Sequence, residues 1–326
     1  MNVWKHCRTA GAACALGVGL LLGGCAGPGP QSATAAMPAK AATAAARLDN
    51  TPRVAVLSAF APELTLLRRQ LADPVTHQVQ GVEFTTGVLA GRPVVLFLSG
   101  ISMVNAAMNT QRVLDRFNVQ ALVFSGIAGG VNPGLHIGDV SVPQQWGQYL
   151  EVLIARETAP GRYTAPPFMK DAMHPNYGMF FPRTVEVVTV QQPQVHRKFW
   201  FEVDPGMLAA ARQLKVPLSA CTAPGKCLSN PPKLVVGGNG VSGQAFMDNA
   251  AFREYTFKTF EANVLDMETA AVGQVAYSNG VPYIAFRSLS DLAGGGDGEN
   301  EMGTFFGLAA DNSAKVLLAF LRAWQP

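Results

Sequence analysis

From Arg53 onward, short apolar runs alternate with amphipathic stretches. "RVAVLS" (53–58) is rich in β-branched and aliphatic residues and predicts a buried strand. "PELTLLRRQLA" follows, with Leu64, Leu67 and Leu71 at helical spacing and Pro62 in the first turn, where proline is tolerated. "EFTTGVLAGRPVVLFLSG" predicts a hairpin that leads into a buried strand, Val94–Ser99. Residues 103–117 carry a helical pattern, and "ALVFSG" and "GDVSVP" predict two further strands. The alternation resumes late in the chain with "LVVGGNGVSGQAFM", "NVLDMETAAVGQVAYSNG", "VPYIAFRSLSD" and a terminal helix within 304–324. Strands that alternate with helices predict an α/β fold around a mostly parallel, twisted sheet.

Two regions break this pattern. Residues 146–232 are rich in proline and aromatics ("APPFMKDAMHPNYGMFFP", "RKFWFEV"), and only "DPGMLAAARQL" reads as helix. Such a span predicts an elaborate insertion or lid. The N-terminus opens with Lys5 and Arg8, then an apolar run from Ala10 to Gly24, too short to cross a bilayer. It predicts a signal peptide over 1–24. "LGGC" resembles a bacterial lipobox, which makes Cys25 the lipidated residue; the alternative is an ordinary signal cleaved at a small residue nearby. Ala26, rather than an acid, follows the cysteine, which by analogy with lipoproteins directs the chain to the outer membrane. Residues 25–50 are rich in Ala, Pro, Gly, Ser and Thr and predict a flexible tether, leaving 51–326 as the folded domain.

Composition narrows the function. The 326 residues carry a net charge of +3 with no long basic run, which gives no support to nucleic acid as a partner. Of five cysteines, Cys221 and Cys227 remain as a pair in the exported domain, where an oxidising compartment favours a disulfide. Their spacing is not CxxC, against thioredoxin-like chemistry. None of the five histidines pairs at metal-ligand spacing, and no G-x-S-x-G elbow is present. No metal and no cofactor are expected.

With only 14% of residues charged, acids at strand ends are candidates. Open sheets bind ligands at the carboxyl ends of their strands. Glu63 follows the first strand, "GIAGG" (126–130) follows another, Glu268 follows the run ending at Leu265, and "SLSD" with Asp291 follows a third. Each has a structural explanation of its own. Glu63 and Glu268 suit a helix's first turn, Asp291 suits a cap or turn, and glycines suit tight loops. If the strands are neighbours, however, all four segments share one mouth.

These blocks in this order resemble the nucleoside phosphorylase superfamily, and within it the methylthioadenosine/S-adenosylhomocysteine nucleosidases. The resemblance covers about residues 53–143 and 234–322 and rests on "SAFAPELTLL", "SGISMVNAAMNTQRVLDRF", "FSGIAGGVNPGLHIGDVSVP", "VSGQAFM", "LDMETAAV" and "VPYIAFRSLSDLA". The region 146–232 looks more like the plant bark-storage relatives. The resemblance implies a three-layer α/β/α fold with a central, largely parallel, twisted mixed sheet. It also implies hydrolysis of a purine nucleoside's N-glycosidic bond through an oxocarbenium-like state, and a homodimer. Glu63 matches the base that activates water, kept ionised by its helix N-terminus. Asp291, with Ser290, matches the acid that protonates the leaving purine. Glu268 matches the ribose clamp, with Met267 on the sugar. Phe246 matches the aromatic on the purine, the Met247 backbone reads its edge, and Arg287 supports the site by ion pairing. Ile127, Ala128 and Gly129 line the site.

Departures are Ile127, where the family often has Ser or Thr, Gln244 in place of a common acid, and Ala61-Pro62 in place of an acidic pair. A phosphorylase is the first alternative, but "SAFAPE" lacks the arginine such enzymes carry there. A binding or storage-like lipoprotein without activity is the second.

Overall fold

The structure is a computed structural model that describes residues 46–169, 173–223, 225–296 and 298–325. The stretch expected to be a signal peptide, Cys25, and the expected tether up to residue 45 lie outside the described residues.

The chain forms β1 (Asp49–Ser58), α1 (Ala61–Gln70), β2 (Ala72–Val79), β3 (Val82–Leu89), β4 (Arg92–Leu98), α2 (Met103–Arg116), β5 (Phe117–Gly130), β6 (Val140–Val142) and β7 (Gln145–Gln148). The insertion follows. In it β8 (Val152–Ile154) pairs with β11 (Phe180–Pro182), β9 (Arg156–Ala159) with β10 (Arg162–Thr164), and β12 (Val185–Val187) with β13 (His196–Lys198). Then come β14 (Trp200–Glu202), α3 (Pro205–Arg212), β15 (Leu234–Val236), β16 (Asn239–Ser242), α4 (Ala250–Phe260), β17 (Ala262–Asp266), α5 (Thr269–Asn279), β18 (Tyr283–Asp291) and α6 (Met302–Ala323).

Twelve strands make one mixed sheet. Its heart is parallel: β1 pairs with β4 and β5, and β5 with β18. Runs such as Val54–Leu57 and Tyr283–Phe286 are buried, as strands covered on both faces must be. Helices α2 and α5 pack together on one side of the sheet, and α1 and α6 on the other, giving three layers. Helix α6 is apolar enough to cross a membrane, but most of it is core: Leu308, Val316, Leu317, Phe320 and Leu321 are buried against the sheet.

The structure extends several sequence expectations. Strand β1 reaches back to Asp49, inside the stretch read as tether, and Asp49 pairs with Phe117. "GIAGG" is the end of strand β5 rather than a loop after it, and "SLSD" is the end of β18. Two pieces of the insertion, β7 and β14, join the main sheet at its edge, with Trp146 opposite Phe201. The His174 ring packs on Phe199 and Phe260 in a second apolar cluster there. Cys221 and Cys227 are disulfide-bonded.

Candidate active site

The carboxyl ends of β1, β5, β17 and β18, and the loop after β16, meet around one cavity of about 210 Å³. Glu63, Glu268, Asp266 and Asp291 all line it, together with Ile127, Ala128, Gly129, Met267 and Ser290. Phe246 and Met247 line it as well, with Phe246 on the rim and 58% exposed. The four segments that the sequence placed at strand ends therefore share one mouth.

Arg287 is the centre of the polar network. It sits on β18, fully buried, with its guanidinium 4.0 Å from the Phe124 ring centroid. Nε lies 2.7 Å from Asp266 Oδ2, Nη1 lies 3.8 Å from Glu63 Oε1, and Nη2 lies 3.4 Å from Glu268 Oε2. Nε and Nη2 also donate to Thr269 Oγ1, and Nη1 donates to the Ile127 carbonyl at 3.1 Å. The Thr269 hydroxyl in turn donates to Asp266. One cation thus faces three carboxylates, so the cluster carries a formal charge of −2 when all are ionised. Close approach here requires glycine at 126: a Cβ there would lie 2.2 Å from Arg287 Nη1 and 2.7 Å from Glu63 Oε1.

Glu63 satisfies both sequence readings. It caps the start of α1, where its carboxylate accepts from the amides of Ala59 (2.7 Å) and Phe60 (3.4 Å) while its own amide donates to the Phe60 carbonyl (3.1 Å). Its other oxygen accepts from the Ile127 amide at 2.7 Å. Burial acts against the helix N-terminus that was expected to keep it ionised. Desolvation pushes its pKa upward, against the opposing pull of Arg287 and the three amides.

Glu268 stands immediately before α5. Its Oε1 accepts from the Ser102 amide at 2.8 Å, so it ties the starts of α2 and α5 together. Burial first, and then Asp266 and Glu63, raise its pKa to about 7 against the pull of Arg287. Asp291 accepts from the Ala293 amide (2.8 Å) and from Ser290 Oγ (2.9 Å). Its pKa is also raised, chiefly by burial. A carboxyl held above its ordinary range can carry a proton to a ligand.

Sequence reasoning missed Asp266. It accepts from Ser242 Oγ at 2.5 Å and from the amides of Glu268 and Thr269, so it fixes the turn that presents Glu268. Its signal was its place at the end of an apolar run, two residues before Glu268. Phe60, Ile101 and Met302 also line the cavity and were not singled out.

The sequence profile of the phosphorylase superfamily matches residues 53–322, and the chain belongs to that superfamily. It is 28% identical over 276 residues to the 5'-methylthioadenosine/S-adenosylhomocysteine nucleosidase of Tolumonas auensis, covering 83% of this chain and 99% of the relative. It is 31% identical over 247 residues to the Bacillus cereus protein of the same name, covering 74% and 87%. Among solved structures, it is similar to the Streptococcus pneumoniae nucleosidase of that name with a transition-state inhibitor. That likeness has a TM-score of 0.62 at 27% identity and covers 84% of this chain and all of the other.

Proposed function

We propose that this protein is a purine nucleosidase that cleaves the N-glycosidic bond of methylthioadenosine, S-adenosylhomocysteine or a related nucleoside with water. The observation that carries this reading is the sign of the site. Four carboxylates and Ser290 line a cavity whose other side chains are apolar, no cation lines it among the described residues, and Arg287 behind it is already shared by three of the acids. Such a site favours a ligand that becomes cationic, as ribose does at the oxocarbenium-like state. It disfavours a phosphate nucleophile, which would enter against that charge.

The chemistry distributes over three carboxyls. Glu63 takes a proton from water as the water oxygen bonds to C1′. The electron pair of the breaking C1′–N bond leaves with the purine, and Asp291 donates its proton at N7. Glu268 holds the ribose hydroxyls through the lone pairs that Ser102 and Arg287 leave free. This assignment needs Glu63 ionised and Asp291 protonated, which gives a bell-shaped dependence of kcat/KM on pH. Proton return from Glu63 to Asp291 through solvent closes the cycle.

The same reading extends to assembly and location. Ile101, Val104 and Met108 form an exposed apolar stripe at the start of α2, and Ile101 also lines the cavity. A second copy covering this stripe would close the site, in keeping with a homodimer. The lipobox at Cys25 supports an exported lipoprotein at the outer membrane; Cys25→Ser should move the protein from the membrane to the soluble fraction.

The test is purine release from methylthioadenosine, S-adenosylhomocysteine, adenosine and inosine, with and without phosphate, beside Glu63→Gln and Asp291→Asn. Phosphate-independent release that falls by about two to four orders of magnitude in both variants is expected. Release only with phosphate makes the protein a phosphorylase. Purine binding without release leaves a binding lipoprotein.

A further inference from the structure

Ile127 is held into the catalytic network by its backbone at both ends. Its amide donates to Glu63 Oε1 at 2.7 Å and its carbonyl accepts from Arg287 Nη1 at 3.1 Å. Its side chain does something different. It is 9% exposed and packs in a small apolar cluster with Ala309 and Ala310 of α6 and with Phe60, Met302 and Phe306. Phe60, the residue capping α1, also gives its amide to Glu63, at 3.4 Å. Two of the three residues that bind Glu63 through their amides, Phe60 and Ile127, therefore line the cavity beside it with large apolar side chains. Neither side chain offers Glu63 a hydrogen bond or gives bulk water a polar foothold.

We propose that Ile127, together with Phe60, forms an apolar sleeve that keeps bulk solvent off the Glu63 carboxylate and admits only the water it activates, making Ile127 a positioning residue for hydrolysis. This rests on the nucleosidase reading above. A hydroxyl at position 127 would open the sleeve; isoleucine closes it. Charge reaches Glu63 from elsewhere. Arg287 of β18 lies at 3.8 Å, and Asp266 of β17 and Glu268 ahead of α5 are bound to that same guanidinium. The side chains named from α6 in this cluster are uncharged, so the sleeve acts by desolvation alone. Desolvation is also the largest cause of the upward push on Glu63.

The experiment compares the full-length protein with Ile127→Val and Ile127→Ser. The first readout is the acid limb of kcat/KM against pH. The second is a carbon-13 carboxyl titration in which the Glu63 signal is identified by its loss in Glu63→Gln. Ile127→Ser should move the acid limb and the Glu63 titration together toward lower pH, by about one pH unit, a tenfold change in proton affinity. Ile127→Val should leave both in place. A uniform fall in activity with an unmoved limb and titration would overturn the sleeve and leave Ile127 as packing. The titration needs no turnover. If no nucleoside is cleaved while the Glu63 signal moves as stated, the nucleosidase reading and the hydrolytic role of Ile127 fail, and only the desolvation of Glu63 by the sleeve stands; if the signal does not move, the sleeve fails whatever the turnover.

Discussion

Replacing Arg287 by methionine removes the only cation from the buried cluster while keeping a long apolar side chain. Asp266, Glu63 and Glu268 are then left with no neutralising partner, and Thr269 Oγ1 and the Ile127 carbonyl each lose a donor. Breaking a buried ion pair by removing one partner costs about 3–5 kcal/mol, and the loss here should sit at the upper end because three acids share the one cation. The loss should also depend on pH. Even with Arg287 present, Glu268 is raised from 4.5 to about 7, a climb worth about 3 kcal/mol. Because Glu268 holds its proton more tightly when folded, its contribution is complete below the unfolded value and is lost as pH rises through about 7. Without the guanidinium, the one group pulling hardest against desolvation is gone, and the carboxyls are driven higher still. The deficit of Arg287→Met should therefore be larger at about pH 8 than at about pH 5.5. Urea unfolding at both pH values, with the slope checked for constancy, measures it. A deficit under about 1 kcal/mol, or one equal at the two pH values, would refute the claim that Arg287 neutralises the acids.

Three further outcomes follow from the same geometry. Gly126→Ala should cost about 1–3 kcal/mol and abolish most activity, because its Cβ would displace both Arg287 and Glu63; kinetics beside calorimetry separate the two effects. The homodimer proposed above predicts that Val104→Glu on the exposed α2 stripe will shift sedimentation from dimer to monomer and raise KM about tenfold or more. Cys221→Ser opens a loop of sequence separation six and should lower stability by about 2 kcal/mol with kcat unchanged, read by thermal unfolding with and without reductant.

The parallel core was legible because its strands and helices are long and periodic. What escaped the sequence was set by partners far along the chain. "GIAGG" looked like a turn, since glycine in a strand is unusual. Its glycines are instead clearance for other strands: Gly126 for Arg287, Gly129 for Asp291 and Ala293, and Gly130 for Leu289. Strand β2 was missed because "ADPVTHQV" is an exposed edge without alternation. The insertion hid β7 and β14, whose pairing joins Trp146 to Phe201 across more than fifty residues and leaves no local signal. At the site, placement at strand ends found Glu63, Glu268 and Asp291, while Asp266 was overlooked because its role, holding Arg287 and the turn before Glu268, is visible only in three dimensions. The helix-cap and catalytic readings of Glu63 were posed as rivals, yet the same amides serve both.

That coexistence has a consequence for how activity and stability share the site. Glu63 must be ionised to take a proton from water, yet burial makes ionisation costly in the folded state. A group whose folded pKa is raised contributes stability below its unfolded value and loses it as pH rises through the folded value. The same pH rise therefore creates the base and weakens the fold. Across the acid limb, kcat/KM should climb while unfolding free energy falls. Glu63→Gln should remove the first trend and lessen the second, leaving the share of the fall that belongs to Glu268 and Asp291. The cluster's remaining charge explains why the arrangement is worth its cost: an oxocarbenium-like sugar would bring one positive charge to a site formally two charges negative. A transition-state mimic bearing a cation should thus restore stability most at high pH, where the acids are ionised. Thermal shifts measured with a cationic and a neutral nucleoside analogue across pH decide it. Equal shifts for the two analogues at high pH would mean that the acids serve the fold and not the reaction.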